Sequence, residues 1–473
     1  MNNIHLLALV PLCLSGPILA QNLISESLSS AQSSDGSYIS WQEHIIDDPE
    51  LAGFALSGSD GLVMGDIDRD GHEDIISVHE SDDEYDSAIH TPGFIPPPEG
   101  TVRIAFGSAH PRQWLNITIA EGSDAPAPED AVVVDLNGDN YLDVVVAAEQ
   151  SHLIYLQNPG SNARTATWPR LILPMTQGRG SYIRVFAADF DGDGIAELTA
   201  PNKGAQSPGP EDYARSTPVE LYKLTGDPLS GDSWQRRVLG NYSIPQNAEP
   251  VDLDSDGDMD IVVGARGDVR LVYFENLGTG SLDFAEHAIG INGGKMSGFN
   301  LEYTDLSGDG GLDIIGISGR ELIWIEQPEH IDNTWNAYTI GSIFPDGLVG
   351  MEIADIDNDG DTDVMVGSYS RGPRTGDGAV DKSDALGRLA WFENPGEAKS
   401  AWTLHDISRR KRGMFDKFIA RDLDGDGDMD FLGTRGNSAP FDGVFWLEQI
   451  RSKETRRNFL PARAQESDEI ALP

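Results

Sequence analysis

The chain has 473 residues, 39% of them hydrophobic, which excludes a disordered polymer despite its charge. Lys and Arg number 33 against 78 Asp and Glu, a formal net charge of −45, so nucleic acid and anionic lipid are excluded as partners of the surface as a whole. A single cysteine, Cys13, excludes a disulfide framework or a cysteine-ligated metal.

Residues 1–20 have the pattern of a secretory signal. An apolar run from Ile4 to Leu14 precedes Ser15-Gly16-Pro17-Ile18-Leu19-Ala20, with Ala20 as the cleavage residue, although Met1-Asn2-Asn3 lacks the usual Lys or Arg. Cys13 would leave with this segment. No later apolar run is long enough to span a membrane, so a secreted protein, extracellular or periplasmic, is expected. Residues 21–38 are expected to form a flexible linker, 39–450 the folded body, and 451–473 a disordered tail.

Seven acidic loops punctuate the body. Each offers oxygens at positions 1, 3, 5 and 9, with a tight turn at position 6. They are Asp66, Asp68, Asp70 and Asp74; Asp135, Asn137, Asp139 and Asp143; Asp189, Asp191, Asp193 and Glu197; and Asp252, Asp254, Asp256 and Asp260. The remaining three are Asp305, Ser307, Asp309 and Asp313; Asp355, Asp357, Asp359 and Asp363; and Asp422, Asp424, Asp426 and Asp430. An all-oxygen set on a short, sharply turned loop suits a hard divalent cation, above all Ca²⁺, and up to seven structural ions are expected. Asn137 and Ser307 each remove a charge, so the second and fifth loops should bind more weakly.

β-rich runs flank most loops, as in Ala131-Val132-Val133-Val134 and Asp260-Ile261-Val262-Val263, which predicts a hairpin around each. A second marker, Trp-x-x-φ-x-Ile, starts at Trp114, Trp168, Trp335 and Trp402, with looser versions at Trp234 and Phe284. Between the two markers lies an aromatic strand, such as Leu389-Ala390-Trp391-Phe392-Glu393-Asn394. Each unit therefore holds four antiparallel strands, A to D, with the loop between A and B. Seven such units predict an all-β, seven-bladed β-propeller. The seventh unit lacks a Trp marker of its own, and the missing copy stands at Trp41-Gln42-Glu43-His44-Ile45-Ile46. The N-terminal strand is thus expected to complete blade 7 and close the ring.

At these residues the chain resembles the VCBS/FG-GAP repeat family, which includes the head domain of integrin α chains. The resemblance covers roughly residues 41–449 and implies a propeller whose Asp-x-Asp-x-Asp-Gly-x-x-Asp loops sit in the A–B hairpins and bind Ca²⁺. It is nearly silent about activity.

In such a blade the B–C and D–A connections lie on the face opposite the acidic loops. Insertions in the B–C segments, roughly Ser81–Gly100, Asn202–Thr217 and Ser370–Gly387, open there, and variable loops on a rigid frame are where binding usually sits. Lys203, Arg266, Arg320, Arg371, Arg435 and the run Arg409-Arg410-Lys411-Arg412 gather on the same side, with Tyr242 and Tyr369 as neighbours. These cations either pair locally or rim a binding depression, and the cluster favours the second reading. Two functions follow. One is a monomeric, non-catalytic propeller gripping an anionic glycan or an extracellular protein. The other is a carbon–oxygen lyase on an acidic carbohydrate, in which Arg266, Arg371 and Arg435 neutralise a uronate while His79 or Tyr369 removes the proton. The three histidines sharing one slot of the Trp marker, His44, His287 and His405, are expected to be structural.

Overall fold

Every acidic loop ends where a strand begins. The computed structural model describes residues 23–80, 100–150, 152–278, 280–370, 380–463 and 468–473. In it, strand B starts on the position-nine residue in each of the seven repeats, from Asp74 to Asp430. Blade 1 is Ser59–Gly65, Asp74–His79, Thr101–Phe106 and Leu115–Glu121; blade 2 is Pro128–Val134, Asp143–Ala148, Leu153–Leu156 and Arg170–Ile172. Blade 3 is Phe186–Ala188, Glu197–Pro201, Thr217–Leu224 and Trp234–Tyr242; blade 4 is Pro245–Val251, Asp260–Ala265, Arg270–Asn276 and Phe284–Ile289. Blade 5 is Leu301–Thr304, Asp313–Ser318, Glu321–Glu326 and Trp335–Gly341; blade 6 is Leu348–Ala354, Asp363–Ser368, Gly387–Glu393 and Thr403–Arg410.

Blade 7 joins the two ends of the body. Phe418–Arg421, Asp430–Arg435 and Gly443–Ser452 are completed by Tyr38–Asp47, which pairs antiparallel with the third strand from Tyr38↔Ser452 to Asp47↔Val444. The inner strands of blades 5, 6, 7, 1, 2, 3 and 4 touch in that order, so the seventh blade abuts the first. The core follows the same plan. It is divided into seven apolar clusters, one in each seam between neighbouring blades, and the seam between blades 7 and 1 is filled like the rest. A ring closed in this way leaves no inner edge strand to solvent.

The segments on either side of the body depart from expectation. Phe459–Leu460 forms a short strand parallel to Tyr38–Asp47, which makes blade 7 five-stranded. In place of a flexible linker, residues 23–38 pack against this C-terminal stretch: Ser29 N–H donates to Arg456 O (2.8 Å), and Leu28 bridges Arg457. Farther on, Ile470 N–H donates to Arg409 O at 3.0 Å. Buried apolar groups in both segments, Ala31 and Phe459 among them, give them a reason to dock.

The repeated markers have local causes. In five blades the Trp indole N–H donates to a backbone carbonyl in the turn just before it, as Trp402 does to Ala398 O (2.9 Å) and Trp114 to Pro111 O (2.9 Å). The histidine slot is structural, as expected. His44, His287 and His405 stack on Trp446, Tyr273 and Trp391 with centroids 4.6, 4.8 and 4.4 Å apart, and each ring meets the glutamate of the same aromatic strand. The amide next along that strand, after a glutamate or, in blade 2, after Gln157, pins one blade to the previous one. Asn158 Nδ2 donates to Ile67 O (2.8 Å), Asn276 to Phe190 O (2.8 Å), Gln327 to Leu253 O (2.8 Å) and Gln449 to Ile356 O (3.0 Å).

Candidate functional sites at the two ends of the propeller axis

The acidic loops share one conformation. Position 4 is left-handed in all seven, at Arg69, Gly138, Gly192, Ser255, Gly308, Asn358 and Gly425, and so is position 6, where Asn140 (φ 69°) stands in for the glycine of the other loops. Asn tolerates that region better than other residues with a side chain. The two turns aim backbone N–H groups inward. The position-one carboxylate accepts from positions 5 and 6, as Asp66 does from Asp70 and Gly71 (both 3.1 Å), and the position-five carboxylate accepts from position 7. Position nine is a clasp. One oxygen of Asp363 accepts from Ile356 N–H (2.9 Å) and the other from Asn394 N–H (2.8 Å), tying the loop to the end of strand C. The same pair of bonds recurs at Asp74, Asp143, Asp260 and Asp430, and at Asp313 with Ser307 as the loop donor.

A carboxylate has about four acceptor positions, so these bonds leave room for a cation. In blades 1, 3, 4 and 6 three carboxylate oxygens of the loop lie within 4.8 Å of one another, as at Asp252, Asp254 and Asp260. That all-oxygen donor set fits Ca²⁺ wherever no basic side chain of the protein already answers it. In two loops, however, a basic side chain of the protein already touches the carboxylates. Arg164 pairs with Asp68 and with Asp70 (2.7 Å), and Lys223 reaches three acidic groups of blade 3.

At the other end of the axis lies a cavity of about 680 Å³. Its wall includes one residue from every blade, always six places before the first aspartate of that blade's loop: Asp60, Glu129, Ile183, Gln246, Phe299, Val349 and Asp416. In four blades this residue sits where the pairing of the inner strand slips by a bulge, at Asp60, Glu129, Gln246 and Val349, and in the other three it lies just before that strand begins. Above this ring, the ends of strand B add Glu149, Lys203, Arg266, Gly319, Tyr369 and Asn437. The blade 3 insertion, which carries a short helix at Pro210–Tyr213, borders the cavity with Gln206, Ser207 and Pro208, so it opens on this face. Of the other two insertions, residues 81–99 and 371–379 lie outside the described residues.

One place deeper, Arg184 crosses the axis. Its Nη2 donates to Asn300 Oδ1 (2.9 Å) and lies 3.5 Å from Asp416, its Nη1 is 3.8 Å from Asp130, and its guanidinium covers Phe299 at 4.4 Å. Blades 2, 3, 5 and 7 are thereby linked under the floor of the pocket.

The charge of this pocket differs from the expected cationic mouth. Lys203 is buried and donates from Nζ to Glu149 Oε1; burial lowers its pKa, while the charge of Glu129 works against that shift. Asp60, Glu80 and Glu129, all buried, offer oxygens within 4.8 Å of one another. Burial first, and the charge of Glu80 second, push the Glu129 carboxyl up to about 8, so it keeps its proton near neutrality and can donate a hydrogen bond. Lys203 is thus spent on Glu149 and Arg184 on Asp416, within the protein itself.

The predicted residues divide accordingly. Lys203, Arg266 and Tyr369 meet at the cavity. Arg320 is exposed beside it, with its guanidinium 5.5 Å from the Phe344 ring. His79 is fully enclosed between Ser59 Oγ (2.7 Å) and Ser77 Oγ (2.9 Å), and burial lowers its pKa to about 3, so it is a neutral core residue and not an accessible base. Tyr242 is buried in the seam between blades 3 and 4, 6.5 Å from Phe274. Arg435 is buried over Phe441 and donates to Ser438 Oγ (3.2 Å). Arg409 makes a two-pronged bond to Asp346 (2.8 and 2.9 Å), and Arg410 pairs with Glu43 (2.7 Å), so the basic run is largely internal. Arg371 lies outside the described residues. Charge at a strand end predicts position along the axis but not direction. Successive residues point to opposite faces, and half of them enter the blade.

Residues 135–199 and 252–316 match the model of the FG-GAP-like repeat, each stretch running from one acidic loop into the strand B of the next blade. No curated protein matches the chain. Among solved structures it is similar to an Agrocybe aegerita lectin described as recognising non-reducing terminal N-acetylglucosamine, at 14% identity and a TM-score of 0.47, covering 86% of this chain and 89% of that one. It is also similar to a rhamnogalacturonan lyase of Bacillus licheniformis, at 11% identity and a TM-score of 0.45, covering 92% of this chain and 76% of that one.

Proposed function

Taking as premise a seven-bladed propeller that carries FG-GAP-like repeats, we propose that it is a secreted, calcium-stabilised saccharide-binding protein whose site is the axial pocket opposite the acidic loops. The observation that carries this reading is the ring of seven equivalent positions. Three of its residues are apolar (Ile183, Phe299, Val349), one is an amide (Gln246), and three are carboxyls (Asp60, Glu129, Asp416), of which Glu129 keeps its proton near neutrality and Asp416 is paired with Arg184. Such a wall suits a ligand that is hydroxyl-rich, has apolar faces and carries no large net charge. The end of a neutral oligosaccharide meets that description better than a uronate does. Tyr369, Gln206, Asn300 and Arg266 add donors and acceptors around it. Among the described residues, the lyase alternative keeps Tyr369 and Arg266 at the cavity. Among the described residues no helix is long and apolar enough to cross a membrane, and the leader-like residues 1–20 support secretion.

A glycan array followed by calorimetry tests the reading. A neutral saccharide should bind, and Gln246→Ala and Tyr369→Ala should each weaken it about tenfold, about 1.4 kcal/mol, without moving the unfolding midpoint. Binding that survives both substitutions, or an array answered only by polyuronates, would overturn it. Rising ultraviolet absorbance with a uronic polysaccharide, lost in Tyr369→Phe, would establish the lyase instead.

A further inference from the structure

The seven acidic loops are not chemically equivalent, because strand C does not bring the same residue to each. Strand pairing fixes that residue. In blades 4 to 7 the registers Ile261↔Phe274, Ile314↔Ile325, Val364↔Phe392 and Phe431↔Leu447 place a glutamate next along strand C, beside the position-nine aspartate: Glu275, Glu326, Glu393 and Glu448. In blade 3 the equivalent register is Leu198↔Tyr222, and the next residue is Lys223. Its Nζ lies 2.6 Å from Asp191 Oδ2, 2.8 Å from Asp193 Oδ2 and 2.8 Å from Glu197 Oε1, so one ammonium binds the oxygens of positions 3, 5 and 9 together.

Two further features belong to this loop alone. Its position-nine residue is Glu197, one methylene longer than the aspartate of the other six loops. In those six blades the second position-nine oxygen accepts a backbone N–H from the end of strand C, whereas in blade 3 that oxygen accepts from Lys223. The ammonium therefore does two jobs: it neutralises the acidic cage, as a cation would, and it replaces the clasp. A divalent ion would have to enter against that positive charge and displace its bonds, so the third loop does not fit Ca²⁺.

We propose that blade 3 carries its own cation, the Lys223 ammonium, and that the protein binds one divalent ion fewer than its acidic loops would otherwise hold. This inference rests on reading the other loops as Ca²⁺ sites, and one experiment separates the two. Calcium bound per molecule is counted by elemental analysis after equilibrium dialysis of the full protein. Asp191→Asn should leave the count unchanged, Asp254→Asn in blade 4 should lower it by one, and Lys223→Glu, which copies blades 4 to 7, should raise it by one. Lys223→Gln, which keeps an oxygen and removes the charge, should give the same gain if the glutamate variant fails to fold. A count lowered by Asp191→Asn, or unmoved by both Lys223 variants while Asp254→Asn still lowers it, would overturn the ammonium assignment and leave the loop reading intact. A wild-type protein that binds no calcium would overturn both.

Discussion

The two ends of the propeller axis are built on opposite principles. At one end the same loop occurs seven times, with the same two left-handed residues and the same inward N–H groups, so each copy repeats its neighbour. At the other end seven equivalent positions hold Asp, Glu, Ile, Gln, Phe, Val and Asp, so only the adjoining blades 7 and 1 share a residue. Repetition marks the end that holds the ring together. Variation on an invariant frame supports the proposal that a ligand is distinguished at the other end.

Three experiments would sharpen or break this contrast. The largest effect is expected from chelation, because it acts on several loops at once. Each site saturated at a hundredfold excess over its Kd contributes about 2.7 kcal/mol, so EDTA should lower the melting temperature by many degrees, and an unchanged calorimetric melt would remove the cation from the loop end. Next comes a single clasp. Asp363→Ala leaves the N–H groups of Ile356 and Asn394 without their acceptor, and it should cost about 3 to 5 kcal/mol in urea unfolding even in calcium-free protein. A loss below about 1 kcal/mol would mean that position nine serves the cation alone.

The third test belongs to the pocket end. Glu129 holds its proton up to about pH 8 in the folded protein and releases it near the ordinary carboxylate value when unfolded. In that window the folded state binds more protons, so the contribution of Glu129 to stability falls as pH rises from about 4.5 to about 8. Glu129→Gln removes this dependence. The variant should therefore gain on the wild type steadily across the window in urea midpoints, and a flat difference would mean that Glu129 is already ionised at the lower end.

What the sequence revealed follows the same division. Blade number, strand order, ring closure and the histidine slot were legible because each rests on a local pattern that recurs. Position 4 of the loops was readable too, through glycine at 138, 192, 308 and 425, but Arg69, Ser255 and Asn358 masked the requirement. The pocket was harder. Its face followed from the insertions, yet its wall is one residue per blade, and only the constant offset from each loop betrays it. The expected cationic mouth failed because partners were invisible. Nothing local couples Arg409 to Asp346, Arg410 to Glu43 or Lys203 to Glu149; those pairs exist only once the ring has closed.

Closure through blade 7 also sets the order in which the molecule can be finished. The other six blades take their strands consecutively from the chain, so each can form as it is made. Tyr38–Asp47 is made before any of them, and its partner, Gly443–Ser452, follows about 400 residues later. At ribosomal speeds of about 5 to 20 residues per second, the delay is roughly 20 to 80 s. Throughout that time a strand bearing Ile39, Trp41 and Ile46, all buried in the finished ring, has no sheet to join. The earliest strand of the propeller is the last to be paired, and the nascent chain must keep it from associating with other strands until then.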